Sequence, residues 1–307
     1  MNYFDCHCDT LTLMDPARDT LYSNSLFIDL KRVSAFADRY TQIYAIFDDV
    51  AESPEGSRDA RFEQLYDQAR ASLAAQEDRI ALVTSAAEMH AAHAEGRAAA
   101  FLSIEDVSVM GSHVEELYDR GFRFCMLAWN HDNVYACGAD FDQRRGITQR
   151  GRDLVRELLA QGVVMDISHL SDAGAEDLFS MTDAPIMASH SDVRAVCNMA
   201  RNLERWQIDE LIRRRGLIGL NFYRYFIGGD YTLDALLRHA DAILEAGGED
   251  VLALGGDIDG CYGDHPVGFE GIQSMPDVRA AFVSAFGEEL AEKIFYANAE
   301  AFIDRVL

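Results

Sequence analysis

The chain has 307 residues, of which 49% are hydrophobic and 26% charged, so it is long enough to bury a core and its composition excludes disordered and collagen-like classes. Asp and Glu number 52 against 27 Lys and Arg, which gives a formal charge of -25. Such a surface repels phosphate backbones and anionic lipid, so we expect neither nucleic acid nor a membrane as a partner.

Short apolar runs recur along the chain, and most are followed by a longer segment with helical spacing. Eight near-continuous apolar runs predict buried parallel strands at 3–6, 42–47, 99–104, 122–127, 163–167, 185–188, 217–220 and 251–254. Segments with one apolar stripe predict helices at 60–77, 114–120, 151–161, 173–181, 208–215 and 233–246. A further run at 80–83 predicts a ninth, peripheral strand.

A strand–helix unit repeated eight times predicts an α/β fold, a (β/α)8 TIM-type barrel, and an open doubly wound sheet is the alternative. No Pro-rich or Ser-rich linker divides the chain, which contains 5 prolines. We therefore predict a single domain over residues 1–307, in which residues 271–307 fold back as closing helices.

The cysteines and the amino terminus indicate the compartment. The cysteines show neither a dense framework spacing nor a C-x-x-C pair, which favours reduced thiols; they are Cys6, Cys8, Cys125, Cys137, Cys197 and Cys261. The first residues include neither the basic nor the apolar segment of a secretory signal. We therefore expect a cytoplasmic protein.

Polar residues stand at the carboxyl ends of the predicted strands, the face of a barrel that carries chemistry. The metal-ligand candidates there are His7, Asp9, Glu105, His169 and His190. His7 and Asp9 are two residues apart, so in a strand both face one side while Cys6 and Cys8 pack on the other. The remaining histidines considered, which lack this alignment and are expected at the surface, are His90, His93, His113 and His239.

Histidine nitrogens and carboxylate oxygens on one face suit borderline divalent ions such as zinc. Five ligands exceed the need of one tetrahedral site, and with one carboxylate shared they fit two ions about 3.5 to 4 Å apart, with room for a bridging hydroxide. Glu105 is the predicted bridge, because Lys31 and Lys293 lie away from the strand ends and neither could serve as a carbamylated lysine.

Asp257 and Arg201 are candidates for the remaining roles. Gly255 and Gly256 permit close backbone approach before Asp257, which would be either a sixth ligand or a proton shuttle between the attacking water and the departing amine. Asp259 would share its face if the strand continued, so the choice between the two aspartates stays open, as does a plain structural turn. Arg201 lies in a loop of the same face and is suited to clamp a substrate carboxylate.

The order of these motifs resembles the membrane (renal) dipeptidase family, the M19 metallopeptidases, through nearly the whole chain. The resemblance implies two zinc ions per chain, with ligands at His7, Asp9, Glu105, His169 and His190 and with the glutamate as the bridge. It also implies that Arg201 binds the carboxylate of a dipeptide, that Asp257 is the catalytic aspartate, and that the protein is a homodimer.

The sequence departs from the family pattern at two places. Asp106 and Val107 follow Glu105 where the family usually has glycines, and Trp129 stands where the animal enzymes carry a histidine that contacts substrate. His131 is the nearby candidate to replace that histidine. The departures concern substrate preference more than the metal ligands.

We interpret the chain as a zinc metallopeptidase, a dipeptidase that uses a hydroxide bridging two zinc ions, with the stereochemistry of the C-terminal residue left open. Tyr223, after the seventh strand, is a candidate to line the substrate pocket, and a packing tyrosine is the equal alternative. One alternative function is a binuclear metal amidohydrolase acting on another small amide, such as an N-acyl amino acid. A catalytically silent binding barrel ranks last, because all five ligands are present.

Overall fold

The computed structural model describes residues 1–49 and 57–307. Within these residues, nine strands form one parallel sheet: β1 Asn2–Cys8, β2 Arg39–Ile46, β3 Ile80–Leu82, β4 Ala98–Ile104, β5 Phe122–Met126, β6 Val164–Asp166, β7 Met187–Ala188, β8 Leu217–Leu220 and β9 Leu252–Leu254. Eight of them pair in a ring, which closes where β1 meets β9 and where β2 meets β4. The predicted (β/α)8 barrel is confirmed, and the open sheet is excluded.

The ninth predicted strand is also confirmed as a peripheral one. β3 pairs with β4 alone among the described strands, with Ile80 opposite Ala98. β3 pairs with the first part of β4, Ala98–Ala100, and β5 with the last part, Leu102–Ile104, so β3 extends the sheet without entering the ring.

The described helices lie between and after the strands: α1 Thr10–Leu13, α2 Leu30–Val33, α3 Arg58–Ala74, α4 Ala86–Ala94, α5 Gln149–Gln161, α6 Asp172–Met181, α7 Arg205–Arg213, α8 Arg224–Ile227, α9 Leu233–Glu245, α10 Met275–Phe286, α11 Glu288–Glu292 and α12 Asn298–Val306. Local capping fixes several of these ends. In α5, the Thr148 side chain accepts from Gly151 N, and Gly162 ends the helix at a φ of 87°.

The prediction of an α-helix at 114–120 is wrong. A 3-10 segment, Val107–Glu116, makes the crossover after β4, and Gly111 interrupts it with a φ of 57°. α4 was not predicted, because its short alanine-rich sequence lacks a clear apolar stripe.

The inner core of the barrel includes residues from each of the eight ring strands, such as Phe4, Phe101 and Phe124. Residues of the last helix, among them Phe302 and Ile303, belong to the same cluster. α12 also contacts β1, β8 and β9, so it packs against the barrel and completes its inner core.

Two expectations about single residues need correction. Cys6 packs in the inner cluster and Cys8 in the outer one, because the register of β1 against β2 shifts between Asp5 and Cys8 and breaks the strict alternation. His239, expected at the surface, is fully buried in α9, where it accepts from Val193 N at 3.0 Å and donates to Ile227 O at 3.0 Å.

Candidate metal centre

The barrel brings the five predicted ligands together at its carboxyl-terminal mouth. His7 and Asp9 lie at the end of β1, Glu105 follows β4, and His169 and His190 follow β6 and β7. All five side chains are buried. Parallel strands of one ring end on the same side, which explains why residues far apart in sequence meet there.

Glu105 lies between His7 on one side and the pair His169 and His190 on the other. One of its oxygens, Oε2, is 3.3 Å from His7 Nε2, while Oε1 is 2.9 Å from His169 Nε2 and 3.8 Å from His190 Nε2. Asp9 Oδ2 lies 3.7 Å from His7 Nε2 on the first side. Each carboxylate oxygen of Glu105 thus faces a different ligand group.

Several polar atoms at this point are buried without a hydrogen-bond partner among the described residues, which is costly. Both ring nitrogens of His7 and Oδ1 of Asp9 are such atoms. The Nε2 atoms of His169 and His190 are only 2.9 Å apart and both approach the same oxygen of Glu105. Converging lone pairs of this kind fit divalent metal ions.

The electrostatics also indicate a place for positive charge. Burial alone would lower the pKa of the His7 ring, but the charges of Glu105 and Asp9 outweigh it and hold this pKa well above its usual value. Burial would raise the pKa of Glu105, and His7 and His169 instead hold it well below its usual range. Without metal, a charged His7 compensates the carboxylates, a role that a divalent cation fills more completely.

His169 and His190 are held as neutral rings. Burial, followed by the charge of Arg201, lowers the pKa of His169 to about 3, and burial lowers that of His190 well below its usual value. His169 Nδ1 donates to Asn130 Oδ1 at 2.7 Å, and His190 Nδ1 lies 2.8 Å from Ser189 Oγ. Such partners fix the ring orientation and leave Nε2 facing the centre.

The structure separates the two aspartates that follow β9. Asp257 Oδ1 lies 3.9 Å from His7 Nε2, and Asp257 Oδ2 accepts from Asn221 Nδ2 at 3.3 Å. Asp259 instead accepts from Thr10 Oγ1 and from Phe27 N, so it anchors the loops after β1. Asp257 is therefore the aspartate beside the cluster, and burial raises its pKa well above the usual value.

A cavity of about 490 Å³ opens above the cluster. Its lining includes Asp9, Glu105, His169 and Asp257, and it also includes Tyr223, which packs on Phe226 as well. Further lining residues that the sequence argument did not select are Phe47, Asp49, Asn130, Phe226, Tyr262 and Asp264. Phe47 and Asp49 lie at the end of β2, where the strand-end rule could have found them, whereas the others come from loops without a periodic signal.

Arg201 lies behind the cavity wall. Its guanidinium donates to Ser191 Oγ at 2.7 Å and to His190 O at 3.0 Å, and it lies 5.7 Å from the centre of the Phe226 ring, which lines the cavity. Its Nε is buried without a hydrogen-bond partner among the described residues. Burial lowers the pKa of Arg201, and the charge of Asp257 opposes this shift.

The residues that depart from the family pattern are also close to the cavity. Trp129 lines it and packs against Phe47 with ring centres 5.0 Å apart. His131 is exposed, and its ring stands edge-on to Trp129 rather than on the cavity wall. Asp106 is buried and accepts from Trp129 N at 3.3 Å and from Asn133 Nδ2 at 2.7 Å.

An eight-stranded parallel barrel that gathers histidines and carboxylates at its carboxyl-terminal mouth is the architecture of metal-dependent barrel hydrolases, and this chain has that architecture. Residues 1–304 match the model of the membrane dipeptidase family, peptidase family M19. The chain belongs to that family.

Relatives and solved structures agree with this membership. Dipeptidase tcpJ of Claviceps purpurea is 30% identical over 230 residues, which cover 72% of this chain and 54% of the relative. An uncharacterized dipeptidase of Schizosaccharomyces pombe is 34% identical over 176 residues, 54% of this chain and 42% of its own. The chain thus spans about half the length of these curated relatives.

Two crystal structures cover the whole chain. The metallo peptidase of Rhodobacter sphaeroides, liganded with a phosphinate mimic of the dipeptide L-Ala-D-Ala, has a TM-score of 0.81 at 25% identity and is covered to 99%. The structure of the dipeptidase AC of family M19 has a TM-score of 0.85 at 24% identity, is covered to 98%, and shares the fold. Among the described residues, no helix is both long and apolar enough to cross a membrane.

Proposed function

We propose that the protein is a dipeptidase whose mouth holds two zinc ions shared by Glu105. The observation that carries this proposal is that each oxygen of Glu105 faces a separate histidine group, 3.3 Å from His7 and 2.9 Å from His169. His7 and Asp9 would complete one ion's ligands, and His169 and His190 the other's. When bound, two such ions activate a water molecule as nucleophile and polarise the scissile carbonyl.

The side chains around the cluster would handle the proton and the substrate. Asp257, beside the cluster and with a raised pKa, would accept the proton of the attacking water and donate it to the departing amine. Arg201, buried behind the cavity wall, would supply positive charge that attracts the substrate's terminal carboxylate. Tyr223 would bound the cavity beside the substrate.

The cavity of about 490 Å³ is of a size for a dipeptide. The Rhodobacter sphaeroides relative binds a mimic of L-Ala-D-Ala, which supports including dipeptides with a D-residue at the C-terminal position among the substrates. We also propose that residues 1–307 form a single domain and that two such chains form a homodimer.

The proposal is tested by metal content and hydrolysis measured on one preparation. Elemental analysis would find at least two zinc ions per chain. A panel of L,L and L,D dipeptides, assayed with and without chelator, would show cleavage that chelation abolishes and added zinc restores.

The control substrates are the same dipeptides with an acetylated amino terminus. If the protein binds two metal ions but cleaves only the acetylated compounds, its function is that of an N-acyl amino acid amidohydrolase rather than a dipeptidase. A preparation that binds no metal and gains no activity on metal addition would refute both.

A further inference from the structure

A second group of potential metal ligands lies between α4 and α12, outside the mouth. His90 and His93 are three residues apart on α4, and Glu300 lies on α12. One ligand atom from each of these three side chains lies within 4.8 Å of the others. Residues three apart share a helix face, so both rings point toward α12.

The group sits at the amino-terminal end of the barrel. His93 Nε2 lies 3.2 Å from the carbonyl oxygen of Tyr40 and 3.1 Å from Thr41 Oγ1, at the start of β2. The metal centre of the mouth lies beyond the opposite ends of the strands. The two groups therefore share no residue.

Hydrogen bonds fix the orientation of both rings. His93 Nε2 must carry a proton to bond the Tyr40 carbonyl, which can only accept. His90 Nε2 lies 2.7 Å from Asp304 Oδ1, and the proton is assigned to this nitrogen because the carboxylate accepts. Both rings thus keep their Nδ1 lone pair for another partner.

The His90 lone pair faces the carboxylate of Glu300, and the His93 lone pair faces the Tyr296 hydroxyl, which is bonded to that carboxylate. His90 Nδ1 is 3.8 Å from Glu300 Oε1, and His93 Nδ1 is 3.3 Å from Tyr296 OH, which itself donates to Glu300 Oε1 at 2.8 Å. Ligands at about 2.0–2.2 Å in a tetrahedral zinc site are roughly 3.4 Å apart. Ion binding therefore requires the three ligand atoms, now within 4.8 Å of one another, to move closer and the Tyr296 hydroxyl to release Glu300. Metal-bound histidines commonly donate their second nitrogen to a carboxylate or backbone carbonyl, which is the pattern found here.

We propose that His90, His93 and Glu300 form a second binding site for a borderline divalent transition-metal ion such as Zn²⁺, with the fourth position open to water. Asp304 and the Tyr40 carbonyl are positioning partners that hold the two rings. Two imidazoles and one carboxylate select zinc, copper or nickel over magnesium and calcium. The bound ion ties α12, which completes the inner core, to α4.

The local charges are compatible with a cation. Glu300 and Asp304 bring two negative charges, and Arg39 Nη1, 3.7 Å from Glu300 Oε1, brings one positive charge. The His90 side chain is 45% exposed and that of Glu300 is 23% exposed, so the ion has access from solvent. Arg39 moves away from Oε1 when the ion binds.

The experiment counts Zn²⁺ bound per chain by equilibrium dialysis and elemental analysis, on the full-length protein and on the variants His90→Ala and Asp304→Asn. We expect His90→Ala to bind one ion fewer than the wild type. Asp304→Asn keeps the site but loses a charged positioning partner, so it should bind this ion about 10-fold more weakly. Zinc should also raise the Tm of the wild type more than that of His90→Ala. Mg²⁺ should neither bind at this site nor produce that difference in Tm.

The matched control is His113→Ala. His113 lies 3.3 Å from both Glu63 and Glu116, so it presents one imidazole beside two carboxylates without a second histidine. This variant should bind as many ions as the wild type. Equal zinc counts for the wild type, His90→Ala and Asp304→Asn at all concentrations would overturn the proposed site. An equal loss in His113→Ala would assign the extra ion to nonspecific surface binding and overturn it as well.

Discussion

Backbone strain is concentrated at the mouth of the barrel. Asp106, His169 and Asp257 have φ values of 64°, 68° and 52°, in a region that residues other than glycine seldom adopt. Each directs a carboxylate or imidazole into or beside the cluster. The backbone is therefore held in a costly conformation at His169 and Asp257, to which we assign chemistry, and at Asp106, which holds the neighbouring loop.

Asp257→Asn tests the proton-transfer role. Asparagine tolerates a positive φ and can still contact Asn221, so the fold and metal content should persist. Because the amide cannot accept the proton, we expect kcat to fall at least 100-fold. Elemental analysis and dipeptide kinetics check this; loss of metal in the variant would make Asp257 a ligand instead.

Asp106→Ala tests what the carboxylate contributes at a position where the family usually has glycine. The Asp106 carboxylate caps the 3-10 segment through Ser108 N at 2.9 Å and holds Trp129 N and Asn133. Its loss leaves buried donors unsatisfied and keeps a strained φ, so the free energy of unfolding should fall by about 1–3 kcal/mol. Urea unfolding measures this. The released Trp129 loop should also raise KM more than it lowers kcat, and an unchanged KM would contradict that link.

At the scale of elements, the strands were predictable because each buried parallel strand is an apolar run with its functional residue at the end. Glu105 and His190 follow from that rule alone. The rule gave no role to Asn130, which orients His169 from a loop whose course depends on tertiary contacts. It also could not pair His90 with Glu300, because 210 residues separate them and only the packing of α12 against α4 unites them.

Gly219→Ala tests the close approach of β7 and β8. A Cβ at Gly219 would overlap the carbonyl oxygen of Ser189, the residue before the proposed ligand His190. We expect a loss of about 1–3 kcal/mol in the free energy of unfolding, together with weaker metal binding, because the end of β7 must move.

The control for this prediction is Gly247→Ala. Apart from the glycine and its chain neighbours, no heavy atom of the described residues lies within 4 Å of a Cβ there, and its φ of 90° makes the substitution costly only through the backbone. It should lower stability by about 1 kcal/mol and leave metal affinity unchanged. Equal effects of the two substitutions on metal binding would refute the link to His190.

At the scale of the whole molecule, the buried His239 ties stability to pH. Burial lowers the pKa of His239 to about 4, below its unfolded value of about 6.5. Between these pH values the unfolded chain binds a proton that the folded chain does not, so stability falls as pH falls through this window. Between pH 7 and pH 5 this residue alone should cost about 2 kcal/mol.

His239→Gln isolates that contribution, because glutamine can accept from Val193 N and donate to Ile227 O without titrating. Urea unfolding of both proteins at pH 7 and pH 5 should show a change about 2 kcal/mol smaller in the variant. Other titrating groups contribute to both proteins and cancel in the comparison. Coinciding pH dependences would show that His239 does not titrate in this way.

The ring of strands and the helix that completes its core also constrain how the chain folds during synthesis. β1 finds its second neighbour only in β9, about 250 residues later, and Phe302 and Ile303 of α12 fill the inner core after that. A ribosome-bound chain therefore exposes the apolar interior of an open half-barrel until residue 303 has left the exit tunnel. We therefore expect holding chaperones to bind the nascent chain for most of its translation, and barrel closure to be a late event in its maturation.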